Sequence, residues 1–190
     1  MVPSWFVPPI GIVVACISVP TQSLLPIAHL ILKFGLIAYA IMLPLMLYRL
    51  CFKDSIEDDR KPTLAILAAP ASLTLTGYLS ISSNPNTLVL LILFSIALVM
   101  TISVYLMLSH LLRIGFSPAY SAFTFPLAIS ATASYKMSVW SQTSNLFENY
   151  STLFFLIGLI EGVIATFIII YVAQHYTRYI YNNFFLKNTI

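Results

Sequence analysis

One carboxylate, Glu161, stands about ten residues inside the apolar run 151–175. An ionisable group that far into hydrocarbon is costly and is kept for a function, most simply the relay of a proton. Its neighbours Gly158-Leu159-Ile160-Glu161-Gly162 form a G-x-x-x-G pattern, which suits close helix contact, so a hydrogen-bonded packing glutamate is the preferred reading. Lys33 is the buried base, a third of the way into another apolar run, and its long stem lets it snorkel. Nothing in the spacing ties it to Glu161. His29, His110 and His175 fall at the ends of runs, and Cys16 and Cys51 lie in or beside them, without metal-ligand spacing or a disulfide pattern. The sequence contains no H-E-x-x-H, G-x-S-x-G or P-loop. No catalytic residue, metal or cofactor is expected, and the chain does not read as an enzyme.

The remaining polar chemistry is hydroxyls and prolines, and it recurs. Pro9 and Gly11, then Pro70, Ser72 and Thr76, then Ser121, Thr124, Pro126 and Thr132 stand in three segments whose prolines are about 60 residues apart. A repeat of that length signals an array of like units. A proline removes a backbone donor and kinks a helix, and carbonyls freed in a membrane must face protein or water. Three such segments at matched positions point to a conduit lined by hydroxyls and backbone dipoles; the alternative is close packing through small residues. On the third of them Ser121, Phe125, Ile129 and Thr132 share a helical face, and on the second Ser72, Thr76 and Ser83 do. An aromatic ring among hydroxyls can gate as a hydrophobic constriction, which singles out Phe125; the alternative for this ring is simple packing.

These residues need elements to hold them. The 190 residues are 59% hydrophobic and 8% charged, against about 25% charged in a soluble domain. Such a chain cannot cover a soluble surface, a disordered state or a secreted disulfide scaffold. Six apolar segments, roughly 5–20, 27–48, 63–82, 87–109, 117–137 and 151–175, are too long for strands and lack the alternation of a barrel. They predict an all-α polytopic membrane protein of about six transmembrane helices. These form a single domain over 1–190, with hairpins at about 5–48, 63–109 and 117–175. In each hairpin a helix rich in Pro, Gly, Ser and Thr precedes a bulkier one, so the first belongs inside and the second against lipid.

Charge sets the orientation. Arg49, Lys53, Arg60 and Lys61, then Arg113, then Arg178 and Lys187 fall on one side. The positive-inside rule makes 49–61 a cytoplasmic loop, 176–190 a cytoplasmic tail, and places both termini inside. The cluster 54–61 reads as a solvated loop. Arg113 and Lys136 flank the fifth segment at opposite mouths, where either could attract anions, though ordinary flanking charges explain them equally well. The net charge of +3 is too small for nucleic-acid binding.

Three runs carry a family resemblance: Trp5-Phe6-Val7-Pro8-Pro9-Ile10-Gly11, Lys61-Pro62-Thr63 through Pro70, and Phe116-Ser117-Pro118 through Phe125-Pro126. Together they resemble the tellurite-resistance/dicarboxylate transporter family, which includes a bacterial tellurite-resistance channel homologue, a malate permease and the plant slow anion channels. The resemblance implies hairpins around a pore with quasi-fivefold symmetry, inner helices kinked at proline, and trimers in channel members. It also implies a phenylalanine gate in the ninth of ten helices, which maps onto Phe125 through Thr124-Phe125-Pro126. Only the C-terminal six helices of the family pattern are matched. The chain is therefore expected to be a truncated form, a partial ring that a homo-oligomer or a complementary chain must close against the bilayer. The implied permeants are small inorganic or organic anions, C4-dicarboxylates such as malate, or tellurite-related species. A proton-coupled dicarboxylate carrier using Glu161, and a non-transporting remnant or structural subunit, are the alternatives.

Overall fold

The structure, a computed structural model, describes residues 2–53, 56–144 and 146–186. Among the described residues the regular structure is all helical, without strands. A short run, Pro3–Cys16, contains α1 (Val7–Gly11) between two 3₁₀ stretches. It is followed by α2 (Leu25–Phe52), a 3₁₀ stretch Asp58–Ala68 leading into α3 (Ala69–Ile81), and α4 (Thr87–Leu111). A second such pair follows, the 3₁₀ stretch Pro118–Phe123 and α5 (Thr124–Gln142); α6 (Ser151–Ile180) then runs on as a π-helical turn, Tyr181–Leu186. Asp54 and Ser55 of the charged loop, and Lys187 of the tail, lie outside the described residues.

Four helical stretches are long and apolar enough to cross a membrane: Gln22–Phe52, Asp58–Ile81, Thr87–Leu111 and Glu148–Asn183. The first of the six expected segments is shorter, and the fifth falls below that hydropathy because its α5 carries Ser130, Thr132, Ser134, Lys136, Ser138 and Ser141. The helices also overrun the expected loops. α2 continues to Phe52 and α6 to Ile180, so parts of 49–61 and 176–190 are helix.

Burial separates inner from outer helices. In Asp58–Ile81 72% of the spanning window is buried, against 22% in Gln22–Phe52, 33% in Thr87–Leu111 and 28% in Glu148–Asn183. Ile27, Leu30, Ile37 and Ile41 of α2 and Ile160 and Phe167 of α6 are exposed, which lipid tolerates and water does not. α3, by contrast, is enclosed continuously from Ala69 to Gly77.

The prolines act differently from a simple kink. Pro70 is the second residue of α3, Pro9 the third of α1 and Pro126 the third of α5. In the first turn of an α-helix a missing N–H costs no ladder bond. Each proline therefore marks the change from 3₁₀ or irregular backbone to α-helix. The 11-residue 3₁₀ run ahead of α3 is long for its kind, and such runs mark strained or functional places.

Close approach locks these pieces together. Val13 wedges between Gly35 of α2 and Gly77 of α3; a Cβ at Gly77 would lie 2.9 Å from Val13 Cγ1 and 3.3 Å from Cys16 Cβ, and a Cβ at Gly35 would collide with Val13 Cγ2. Cys16 Sγ donates to the Ala28 carbonyl at 3.2 Å, and Phe6 meets Tyr39 edge-on at 6.2 Å.

Candidate functional site

The three proline-bearing segments converge on one groove. A cavity of about 290 Å³ is walled by Phe6, Val7, Ile10 and Gly11 from the first, by Ile66, Ala69, Pro70 and Leu73 from the second, and by Ser121, Ala122, Phe125 and Pro126 from the third. Gly11, Pro70, Ser121, Phe125 and Pro126, all expected to line a conduit, are thus brought together. Phe125 is 46% exposed although its neighbours Phe123, Pro126 and Leu127 are buried. The ring thus stands on the open side of α5, beside a packed core.

The other expected lining residues divide. Pro9 is half-buried next to the wall residues Val7, Ile10 and Gly11. Thr124 is half-buried and Thr132 exposed, the latter on the Phe125 side of α5 two turns further on. Ile129 is only 6% exposed and packs with the cluster that holds Ala69, Leu73 and Ile81, so the open face of α5 runs through Phe125, Ala128 and Thr132. Ser72 and Thr76 are fully buried and away from the groove, and Ser83 lies beyond the end of α3. Helical phase identified a polar face on α3, but neighbouring helices enclose it on every side.

The hydroxyls themselves are committed to backbone. Ser72 Oγ donates to Ala68 O at 2.9 Å, Thr74 Oγ1 to Pro70 O at 2.7 Å and Thr76 Oγ1 to Ser72 O at 2.7 Å. On the groove side Ser121 donates to Pro118 O at 3.1 Å, Thr124 to Ser121 O at 2.8 Å and Thr132 to Ala128 O at 2.9 Å. Ser and Thr satisfy themselves this way in helices. Their lone pairs remain, but their protons are taken.

Glu161 is 4% exposed and accepts a 2.7 Å hydrogen bond from Ser134 Oγ of α5 at its Oε2. It is placed by a close contact between α5 and α6. A Cβ at Gly158 would meet Tyr135 N at 3.0 Å and Ala131 O at 3.3 Å, and one at Gly162 would meet Ala131 Cβ at 3.9 Å. The glycines let α6 approach the α5 backbone, and the carboxylate closes the contact. Lys33 is exposed on α2, and no Lys33–Glu161 pair forms among the described residues.

Sequence reasoning passed over one contact. Lys136 Nζ donates to Ser80 Oγ of α3 at 2.7 Å, and Ser80 Oγ donates in turn to Thr76 O at 2.7 Å. A lysine short of the end of a serine-rich helix was the available signal.

The fold and groove define a class: an all-helical, polytopic integral membrane protein whose inner helices meet at a shared opening. The chain belongs to the voltage-dependent anion channel family, which it matches over residues 1–176, in accord with the resemblance carried by the three proline-bearing runs. Anion transport in general, in contact with lipid, follows from that membership. No curated protein and no solved structure matched the chain.

Proposed function

We propose that the chain lines a conduit for small anions along the groove where its three proline-bearing segments meet, with Phe125 as the hydrophobic constriction. The observation that carries this reading is the Phe125 ring, 46% exposed in the wall of a 290 Å³ cavity that also holds Gly11 and Pro70. A ring in that place repels a hydrated ion until it moves aside. The conduit is completed by a further surface, from a second copy of the chain or from a complementary chain that supplies more hairpins. The protein sits in the cell membrane with both termini cytoplasmic. Its permeant is a small inorganic anion or an organic one such as a dicarboxylate, with tellurite-related anions in the same class.

The channel reading is favoured over a proton-coupled carrier by the position of Glu161, whose carboxylate is enclosed and engaged with Ser134. The test is nitrate and chloride flux in liposomes containing the purified protein. Phe125→Ala is expected to raise flux; unchanged flux in a correctly inserted, conducting preparation overturns the gate. Flux that emerges only when further hairpins are co-expressed identifies the chain as a subunit.

A further inference from the structure

A conduit for anions must offer hydrogen-bond donors, and the groove offers few. The protons of Ser121, Thr124 and Thr132 are donated to backbone carbonyls of their own helix. Pro70 and Pro126 in the wall have no N–H to give. The walls at Phe125 are therefore apolar surface and lone pairs, which repel a negative ion.

Lys136 breaks this pattern. It lies eleven residues beyond Phe125 on α5, three turns and about 16 Å along the axis and within about 20° of the same azimuth. The Lys136–Ser80 contact joins α5 to α3 three turns along α5 from the constriction, on the side of α5 that carries Phe125 and Thr132. An ammonium has three N–H donors. One goes to Ser80 Oγ, whose own proton is held by Thr76 O, so Ser80 can only accept from the lysine. Among the described residues no carboxylate pairs with Lys136; the ion pairs are Arg60–Glu57 and Lys61–Asp58 at the charged loop. A half-buried cation with spare donors and no counter-charge, fixed in direction by a serine, is suited to hold an anion in transit.

We infer that Lys136, oriented by Ser80, is an anion-binding station on the conduit face, the place where a permeant small anion is captured before or after it passes Phe125. This rests on the conduit reading for its role in transport, but the binding site stands or falls on its own. Ser80 is a positioning residue: it steers the ammonium and does not itself donate to the ion.

The experiment measures binding and flux separately. Chloride binding to the purified full chain is read from excess ³⁵Cl NMR line broadening, and flux from the chloride dependence of liposome efflux. Lys136→Gln is expected to remove the excess broadening and to raise the half-saturating chloride about tenfold, the scale of one charge-assisted hydrogen bond. Lys136→Arg should retain both, which separates loss of charge from loss of fold, and Ser80→Ala should weaken binding less than Lys136→Gln. If Lys136→Gln loses broadening while no preparation conducts, the site holds and the conduit reading fails. If wild type conducts and Lys136→Gln changes neither broadening nor saturation, the station is overturned and the conduit stands. If wild type shows no excess broadening, the station is overturned, and if flux is also absent with further hairpins co-expressed, the conduit reading is overturned with it.

Discussion

Ser134 Oγ on α5 donates a 2.7 Å hydrogen bond to Glu161 Oε2 on α6, and both residues are buried. The contact makes the deepest acid of the chain part of a helix–helix seam. Ser134→Ala is expected to cost about 1 kcal/mol, the typical size of a hydrogen bond between membrane helices, measured by thermal unfolding in detergent. Glu161→Gln keeps the volume and an acceptor, so it should leave anion flux and its response to a pH gradient unchanged. Abolished pH-driven uptake in that variant would restore the proton-relay reading.

Val13 and its two glycines give a second prediction. Gly35→Ala forces a Cβ into Val13 Cγ2, and Gly77→Ala sets one 2.9 Å from Val13 Cγ1. Each should destabilise by about 1–3 kcal/mol through overpacking. Val13→Ala removes both Cγ atoms, so the double variant Val13→Ala/Gly35→Ala should be more stable than the sum of its single changes. Rescue at Gly77 should be smaller, because Cys16 Cβ at 3.3 Å remains in the way. Additive losses in a double-mutant cycle would show that Val13 is not the wedge.

The groove predicts a graded series at Phe125. Its ring is exposed, so truncation leaves no buried void and should hardly change the melting temperature. Flux should rise in the order Phe, Leu, Ala, with Phe125→Ala about tenfold above wild type if the ring adds about 1.4 kcal/mol to the barrier. A size-independent flux would assign the barrier elsewhere.

The end of α6 is clasped to the start of the gate segment. The Tyr176 hydroxyl donates to the Pro118 carbonyl, and the Phe116 ring packs edge-on to Tyr176 at 5.2 Å and stacks on His175 at 5.8 Å. Tyr176→Phe keeps the ring contacts and loses only the hydrogen bond. It should cost about 1 kcal/mol or less and speed hydrogen exchange in 118–123 while leaving α3 protected. Exchange that accelerates equally across α3 would indicate global loosening and not a local clasp.

How far the sequence reaches can be judged from particular residues. Composition and run length were enough for an all-helical polytopic chain, since backbone groups in lipid must bond within their own segment. The proline repeat pointed to Pro70 and Pro126, and helical phase with the family resemblance to Phe125; all three line one cavity. Hydropathy also marked α2, α4 and α6 as the outer helices, because bulky apolar side chains can stay exposed to lipid.

What the sequence by itself determined, then, is an all-helical polytopic chain and the division between its small-residue and its bulky apolar segments. The tertiary structure alone decided which inner positions face an opening and which face another helix. Ser72 and Thr76 carry the same chemistry as Thr132, and each bonds to its own helix, yet the first two are enclosed and the third is exposed. A hydroxyl satisfied by its own backbone is equally stable against lipid, protein or a water-filled groove, so its presence does not report its surroundings. The same holds for Ile129 and Phe125, one turn apart, and for Lys136, whose partner Ser80 is 56 residues away. Those relations depend on how helices cross, and crossing is set by close approach at Gly35 and Gly77, which no sequence pattern marked, and at Gly158, where the G-x-x-x-G pattern signalled a contact but not its partner.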